Sequence, residues 1–404
     1  MSTLTRNDSC LIYIYRMTDR LTYLLIALAS LLLTACSVFD DHMYGPNGER
    51  KVSVSFVLAL GSSDSPLTKA ETWDPEDPSD DNDGIGYDPK VIGSGYDNTI
   101  DPGTLQVVLY HNASGDFIGQ VDDLTYHHAG ETENDMNLYE FTGSLLMDED
   151  LVDSQIICKM MVFANMPESQ REIISGGVNV SGLEALKFTR FTVGDLRKDT
   201  EYIPMWGVKT VEMNLSEGPG TKDLGTIYAL RAMAKVEVKV SEELAVDYTL
   251  TEMNICNLNA SGYVLPGNAL EQGATEDLQL AGCLNVLDSD QYVSPIVTSE
   301  GSSSLAMYIP EKDNHGFPSE ISVTLKYNGG AAPQVICPES TIRFTEYKLG
   351  KPSEDDADIY DVIRNHNYIF EITGISPDGL RFIVSVKDLD LGGIYGFIYD
   401  QDMQ

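Results

Sequence analysis

The chain is predicted to be all-β, with two antiparallel β-sandwiches in tandem and few short helices. Short runs rich in Val, Ile, Tyr and Phe recur along the 404 residues, several of them alternating, with turn residues between. Helical periodicity is scarce, and many short strands with polar turns read as antiparallel sandwiches. A single core seldom grows beyond about 250 residues, so the length points to two domains.

In chain order, the first element stands outside the fold. Leu21 to Leu33 is an apolar run, too short for a typical membrane-spanning helix of about 20 residues. It ends in Thr34-Ala35-Cys36 and turns polar and acidic at once, "SVFDD". Such a pattern reads as a bacterial lipoprotein signal, with residues 1–35 removed and Cys36 carrying the lipid. Two starts are open, Met1 and Met17, and the second gives a compact signal with Arg20 before the apolar run.

The strand expectations follow. They are "KVSVSFVLAL" (51–60), "TLQVVLYHN" (104–112), "NLYEFTGSLL" (137–146) and "IICKMMVFAN" (156–165), then "AKVEVKV" (234–240), "EISVTLKYN" (320–328), "NYIFEITGI" (367–375) and "LRFIVSVKDL" (380–389). "ESQREIISG" and "SGLEALKF" are each expected to make a short helix. Residues 72–99, dense in Pro, Gly and Asp, are expected to form a charged flexible loop. The stretch "NLSEGPGTKDLG" (214–225) is taken as the seam between an N-terminal domain ending at 222 and a C-terminal domain, 223–404.

Composition excludes more than it assigns. The formal charge is -37, with Lys+Arg 26 against Asp+Glu 63. Nucleic-acid binding needs clustered cations and is not expected; a solvated, self-repelling surface is. Cys158, Cys256, Cys283 and Cys337 remain after the leader. Outside the cytoplasm an even count permits disulfides, but the spacing dictates none, and they read as buried free thiols. Without a C-x-x-C there is no structural zinc signature.

No cofactor or metal site is expected. An EF-hand alignment on Gly84 is met by Asp81 and Asp83, but puts Ser79 at position one and Lys90 at position twelve. His127 and His128 are adjacent, so on a strand they point to opposite faces. No H-E-x-x-H, G-x-S-x-G, Walker loop or G-x-G-x-x-G occurs, and carboxylates are too abundant to nominate an acid–base pair. The chain is therefore not expected to be an enzyme.

Several short stretches, taken in order, resemble one family. They are "TIDPGTLQVVLYHNASGDFIG" (99–119), "MMVFANMP" (160–167), "IPMWG" (203–207), "LRAMAKVEVKV" (230–240), "MYIPE" (307–311) and "RNHNYIFEI" (364–372). Together they are similar to the fimbrillins, the lipoprotein-derived subunits of type V pili in Bacteroidetes-type bacteria. The resemblance implies transthyretin-like sandwiches, no catalysis, and polymerisation by donor-strand exchange at the cell surface, for adhesion. It implies an outer-membrane precursor held by acyl chains, such as palmitate, on Cys36. Residues 36–69 would be a lipidated propeptide containing the first strand, and the N-terminal domain would run 70–222. Its partners would be other fimbrial subunits in a homo- or heteropolymer, a processing protease, and an adhesion target of unknown identity on host or bacterium.

Local physics bears on that implication. In "VSVSFVLAL", Val52, Val54, Phe56, Leu58 and Leu60 share one face of a strand. Such a strand is either a permanent first strand or a plug whose removal opens a groove. The loop "GSSDSPLTKAETW" (61–73) suits proteolysis. In the family the cut follows a basic residue, and the matching bond here is Lys69–Ala70, with lysine where arginine is usual. The family's donor is the C-terminus. In the tail, residues 392–404, Tyr395, Phe397 and Tyr399 share one face while Ile394 and Ile398 share the other. A last strand folded back on its own domain is the alternative. Two further functions stay open: a membrane-retained anchor of the same fimbria, and a glycan-binding surface lipoprotein with exposed aromatic platforms, for which Trp73 and Trp206 are the only tryptophans.

Overall fold

The computed structural model describes residues 50–60, 98–131, 137–147, 155–188, 192–193, 202–215, 220–270, 284–286, 292–330, 334–337, 341–345, 347–348, 351–352, 360–376 and 379–388. Within these, the chain is dominated by β-strands. The first part contains β1 (Arg50–Leu60), β2 (Gln106–His111), β3 (Phe117–Glu131), β4 (Asn137–Met147) and β5 (Gln155–Ala164). Then come β6 (Lys187–Phe188), β7 (Thr192–Val193), β8 (Met205–Asn214), β9 (Lys222–Tyr228) and β10 (Leu230–Arg231). Eight of these form one sheet in the order β10–β8–β5–β2–β3–β4–β1–β9. Its two edges, β9 and β10, are consecutive in the chain, so the sheet curls until its ends meet. Gly207 on β8 marks the closure, because a Cβ there would run into the carbonyl oxygen of Tyr228.

Curling encloses a core to which β1, β2, β4, β5 and β8 all contribute, among them Phe56, Leu109, Phe141, Met160 and Met205. β2 and β5 are buried on both faces. Val107 and Leu109 point into this core, whereas Val108 and Tyr110 point into a second cluster on the outer side. That is why "QVVLYH" and "QIICKMMVFA" read as almost continuous apolar runs, while one-sided β1 alternates.

The second part begins at β11 (Ala234–Val240). It continues with β12 (Tyr248–Cys256), β13 (Leu258–Asn259), β14 (Gly262–Tyr263), β15 (Tyr292–Val293), β16 (Ile296–Ser302), β17 (Ser304–Ile309) and β18 (Glu320–Tyr327). The last strands are β19 (Gln334–Ile336), β20 (Ile342–Arg343), β21 (Tyr347–Lys348), β22 (Lys351–Pro352), β23 (His366–Ser376) and β24 (Gly379–Asp388). Two sheets, β24–β23–β11–β17–β7 and β16–β12–β18–β19, enclose a core that includes Val236, Val238, Met253, Met307, Ile321 and Phe370.

The two halves repeat one arrangement that no sequence repeat announces. β1 lies between antiparallel β4 and parallel β9; β11 lies between antiparallel β17 and parallel β23. In each half the first strand is thus an interior strand of its sheet.

The halves also interlock. β7 adds to the second sandwich beside β17, and β6 pairs with β14. Trp206, Phe163 and Met161 of the first half pack with Val264, Leu265 and Tyr308 of the second.

All eight expected strands form, with shifts of at most two residues at their ends. Glu168–Ser175 is the expected helix, but Val180–Ala185 winds as a 3-10 helix. β3 was not expected, because Asp122, Asp123, His127 and His128 and two bulges hide its alternation. The seam differs as well. "NLSEGPGTKDLG" joins β8 to β9, which pairs with β1 in the first sheet, and the passage to the second sandwich falls between β10 and β11. That pairing spans well over a hundred residues and leaves no trace in local composition.

Candidate functional site: the first strand and its groove

β1 forms because apolar residues alternate with small or polar ones at the period of a pleated strand. Val52 is 8% exposed, and Val54, Phe56, Leu58 and Leu60 are 1% exposed or less. On the other face Ser53 is exposed, Ser55 and Val57 are half-buried, and Ala59 is buried. The register runs Val52↔Leu145, Val54↔Gly143, Phe56↔Phe141 and Leu58↔Tyr139 on the β4 side, and Val54↔Lys222 and Leu58↔Ile227 on the β9 side.

Each inward position has its own surroundings. The Phe56 ring lies flat against Phe141, centroids 5.1 Å apart and planes 4° from parallel, and Tyr126 leans on Phe141 at 5.4 Å. Beside Val54, Gly143 has no room for a side chain: a Cβ there would lie 2.6 Å from Val121 Cγ1 and 2.8 Å from the Asp122 carbonyl oxygen. The sequence thus places glycine where β3 crowds β4.

One ion pair fastens the start of the strand. Lys51 Nζ donates to Asp123 Oδ2 at 2.9 Å, and Ser144 Oγ donates to the same oxygen at 3.1 Å. Asp123 sits in the β3 bulge with φ 55°, a left-handed conformation that Asp tolerates. The hydrogen bonds from Lys51 and Ser144, with the Lys51 charge, hold its carboxyl below the usual carboxylate range. This fastening is therefore present above about pH 4 and is lost as pH falls through the depressed value.

Burying five such side chains is worth about 1.5–3 kcal/mol each, so roughly 8–15 kcal/mol before conformational entropy. β1 also has ladder partners on both sides, so its loss would leave two strand edges facing a slot lined with apolar side chains. The equivalent strand β11 lies mid-chain, whereas β1 joins the rest of its sheet only through residues 61–97.

Cys36, Lys69, Ala70, Trp73, Asp81, Asp83, Cys283 and the tail residues Ile394, Tyr395, Phe397, Ile398 and Tyr399 lie outside the described residues. Among the others, Cys158 is a buried free thiol, pushed up to about 12 by burial. Contrary to the expectation of buried thiols, Cys256 is half-buried and Cys337 exposed: Cys256 lies on the face of β12 opposite the buried Met253 and Ile255, and Cys337 follows the end of β19. Trp206 is buried between the halves and offers no platform to a ligand. His127 faces Glu140 at 3.2 Å while His128 leans on Tyr139, so the pair diverges.

The short stretches that carried the resemblance meet at the joint. Arg364 pairs with Glu311 at 2.6 Å, both buried, and its guanidinium also donates to the carbonyls of Tyr263, Val264 and Leu265. Arg231 Nη1 donates to Asn365 Oδ1 at 2.7 Å, and the backbone N–H of Asn365 donates to the carbonyl oxygen of Met233. Asn165 Nδ2 donates to the carbonyls of Thr99 and Ile203. These residues tie elements together, whereas β1 is an interior strand of one sheet, and sequence patterning alone could not distinguish the two roles.

Among the described residues, Asp313, His315 and Asp361 form one compact group of metal-ligating types. Nδ1 of His315 lies 3.1 Å from Asp313 Oδ1 and 3.3 Å from Asp361 Oδ1, so the ring and its two carboxylates partner one another on the surface.

No family model matches the chain, and no curated protein does. Solved structures similar to it include a fimbrial assembly protein from Parabacteroides distasonis, at TM-score 0.45 and 12% identity, covering 86% of this chain and 98% of that one. They also include two structures described as candidate cell adhesion proteins. One, from P. distasonis, has TM-score 0.41, 14% identity and coverages of 82% and 96%. The other, from Bacteroides eggerthii, has TM-score 0.40, 12% identity and coverages of 83% and 96%.

Proposed function

We propose that the chain is a structural subunit of a cell-surface fimbria, exported as a lipoprotein and polymerised by donor-strand exchange. The observation that carries this is β1: an interior strand with five buried apolar side chains, lying between two other strands and joined to its sheet by one connection. The ordered resemblance to fimbrillins and the lipobox at Cys36 support the same proposal.

On this proposal the lipid is a temporary tether. Each buried CH₂ contributes about 0.8 kcal/mol, so several acyl chains on Cys36 hold the precursor at the outer membrane. While β1 fills its groove the precursor cannot polymerise. Hydrolysis of the Lys69–Ala70 bond cuts the connection to β1, and departure of the strand carries plug and lipid away together. A strand from a neighbouring subunit then takes the vacancy, and because head-to-tail insertion does not close on itself, a filament grows. The chain performs no catalysis, and adhesion to a host or bacterial surface is the purpose of the assembly.

N-terminal sequencing with intact mass, on protein sheared from cells and on the membrane fraction, tests this. A sheared, lipid-free species beginning at Ala70 is expected. If every copy begins at acylated Cys36 and stays with the membrane, the chain is a retained anchor and the proposal is wrong.

A further inference from the structure

The second sandwich contains a cavity in which β1 takes no part. We infer that it binds a primary ammonium group on an unbranched chain, carried by a free polyamine or by the lysine side chain of a partner. β11 alternates between the core, which receives Val236, Val238 and Val240, and the opposite face of its sheet, which receives Lys235, Glu237 and Lys239. The ladder sets Glu237 between Ala306 and Ile369, and Lys239 between Ser304 and Glu371. The chain then turns into the short helix Glu242–Ala245, which exposes Glu242 and Glu243. Glu237, Lys239, Glu242, Glu243, Ser304 and Glu371 all line a cavity of about 700 Å³, within the size range of small-molecule sites.

The lining carries the carboxylates of Glu237, Glu242, Glu243 and Glu371 against the single ammonium of Lys239. That ammonium is already engaged, with Lys239 Nζ 2.9 Å from Glu371 Oε2. Lys235 lies over the Tyr308 ring, 5.7 Å from its centroid. Glu237 is 1% exposed. Its Oε1 accepts from Ser304 Oγ at 2.9 Å, whereas its Oε2 is buried without a hydrogen-bond partner. Buried carboxylate oxygens are nearly always paired, because leaving water without a donor is costly. The unfilled acceptor marks the place of a donor from outside the chain, and the surplus of negative charge around it selects a cation. A metal ion fits poorly. Calcium draws several oxygens around one point, and among the described residues the one group of three ligating side chains that close together is Asp313, His315 and Asp361. An ammonium needs less, being a compact point charge whose N–H groups donate singly. A guanidinium fork is best served by both oxygens of one carboxylate, and Oε1 here already accepts from Ser304. An unbranched chain then carries its next charge outward, toward the exposed Glu242 and Glu243.

The test uses the uncut chain, expressed from residue 36 with Cys36→Ser and titrated in a calorimeter at neutral pH and low salt. The probes are spermidine, N-acetyl-lysine methylamide and calcium. Glu237→Gln, which keeps the side chain's shape and removes its charge, should weaken amine binding by about 10- to 100-fold, the scale of a hydrogen bond to a charged group. Glu184→Gln, at an exposed carboxylate of the first half, should leave it unchanged. Equal losses in the two variants would reduce the binding to the overall charge of the chain and overturn the inference. Where Glu237→Gln fails to fold, the surface pair Glu242→Gln with Glu243→Gln gives the reading. It should weaken amine binding about tenfold, and unchanged binding would overturn the site. Uptake of spermidine alone assigns the site to a free polyamine, and uptake of the lysine derivative assigns it to a partner's side chain; both support an ammonium site. If neither amine binds, the inference is wrong, whatever calcium does.

Discussion

His315 shows how a surface residue far from the groove reports on local geometry. The hydrogen bond that the ring donates to Asp313 and the charge of Asp361 hold its imidazole above the usual 6.5. A raised folded value means the ring's contribution to stability is complete below about pH 6.5 and is lost as pH rises through the folded midpoint. Because Asp361 lies only 3.3 Å from Nδ1, Asp361→Asn should bring the midpoint down toward 6.5 in an NMR titration. An unmoved midpoint would mean that Asp361 does not face the ring. The residues legible in the sequence were those whose role is apolar burial, such as Val54 and Phe56. Arg364 and Glu311 stand in the sequence only as parts of short motifs, because nothing local says that a charged pair will be buried.

At the level of the element, β1 was readable in full: alternation gave its span and its inner face. What its alternation could not reveal was that β9, more than 160 residues away, completes the slot. The strand's contribution is unequal between its faces. Phe56→Ala should destabilise the uncut protein by about 3–5 kcal/mol in urea unfolding, through lost burial and a cavity against Phe141. Ser53→Ala, on the exposed face, should stay within about 0.5 kcal/mol. Similar losses at the two positions would contradict the register that puts one face in the core. β3 is the counter-case, a long strand whose exposed polar face and bulges concealed it.

For the whole molecule, the joint decides whether two sandwiches behave as one body. β7 crosses into the second sandwich, β6 pairs with β14, and the Arg364–Glu311 pair fastens Tyr263–Leu265 beneath Trp206. Arg364→Ala leaves Glu311 buried without its partner, which should cost about 3–5 kcal/mol. In calorimetry the intact chain should melt in one transition, and the variant should melt at lower temperature with the two halves resolved. Two transitions already present in the intact protein would show the joint to be loose.

The sequence by itself determined the all-β class, the eight strands with clear apolar patterning, the inner face of β1 and the acidic character of the chain. Those properties depend on side-chain periodicity and composition, which neighbouring residues already contain. The tertiary structure alone decided the curled eight-stranded sheet, the place of β9 beside β1, the true passage between sandwiches and the buried ionic joint. Each of these depends on pairing between segments far apart in the chain, where register and burial are set by the partner and not by the residues nearby.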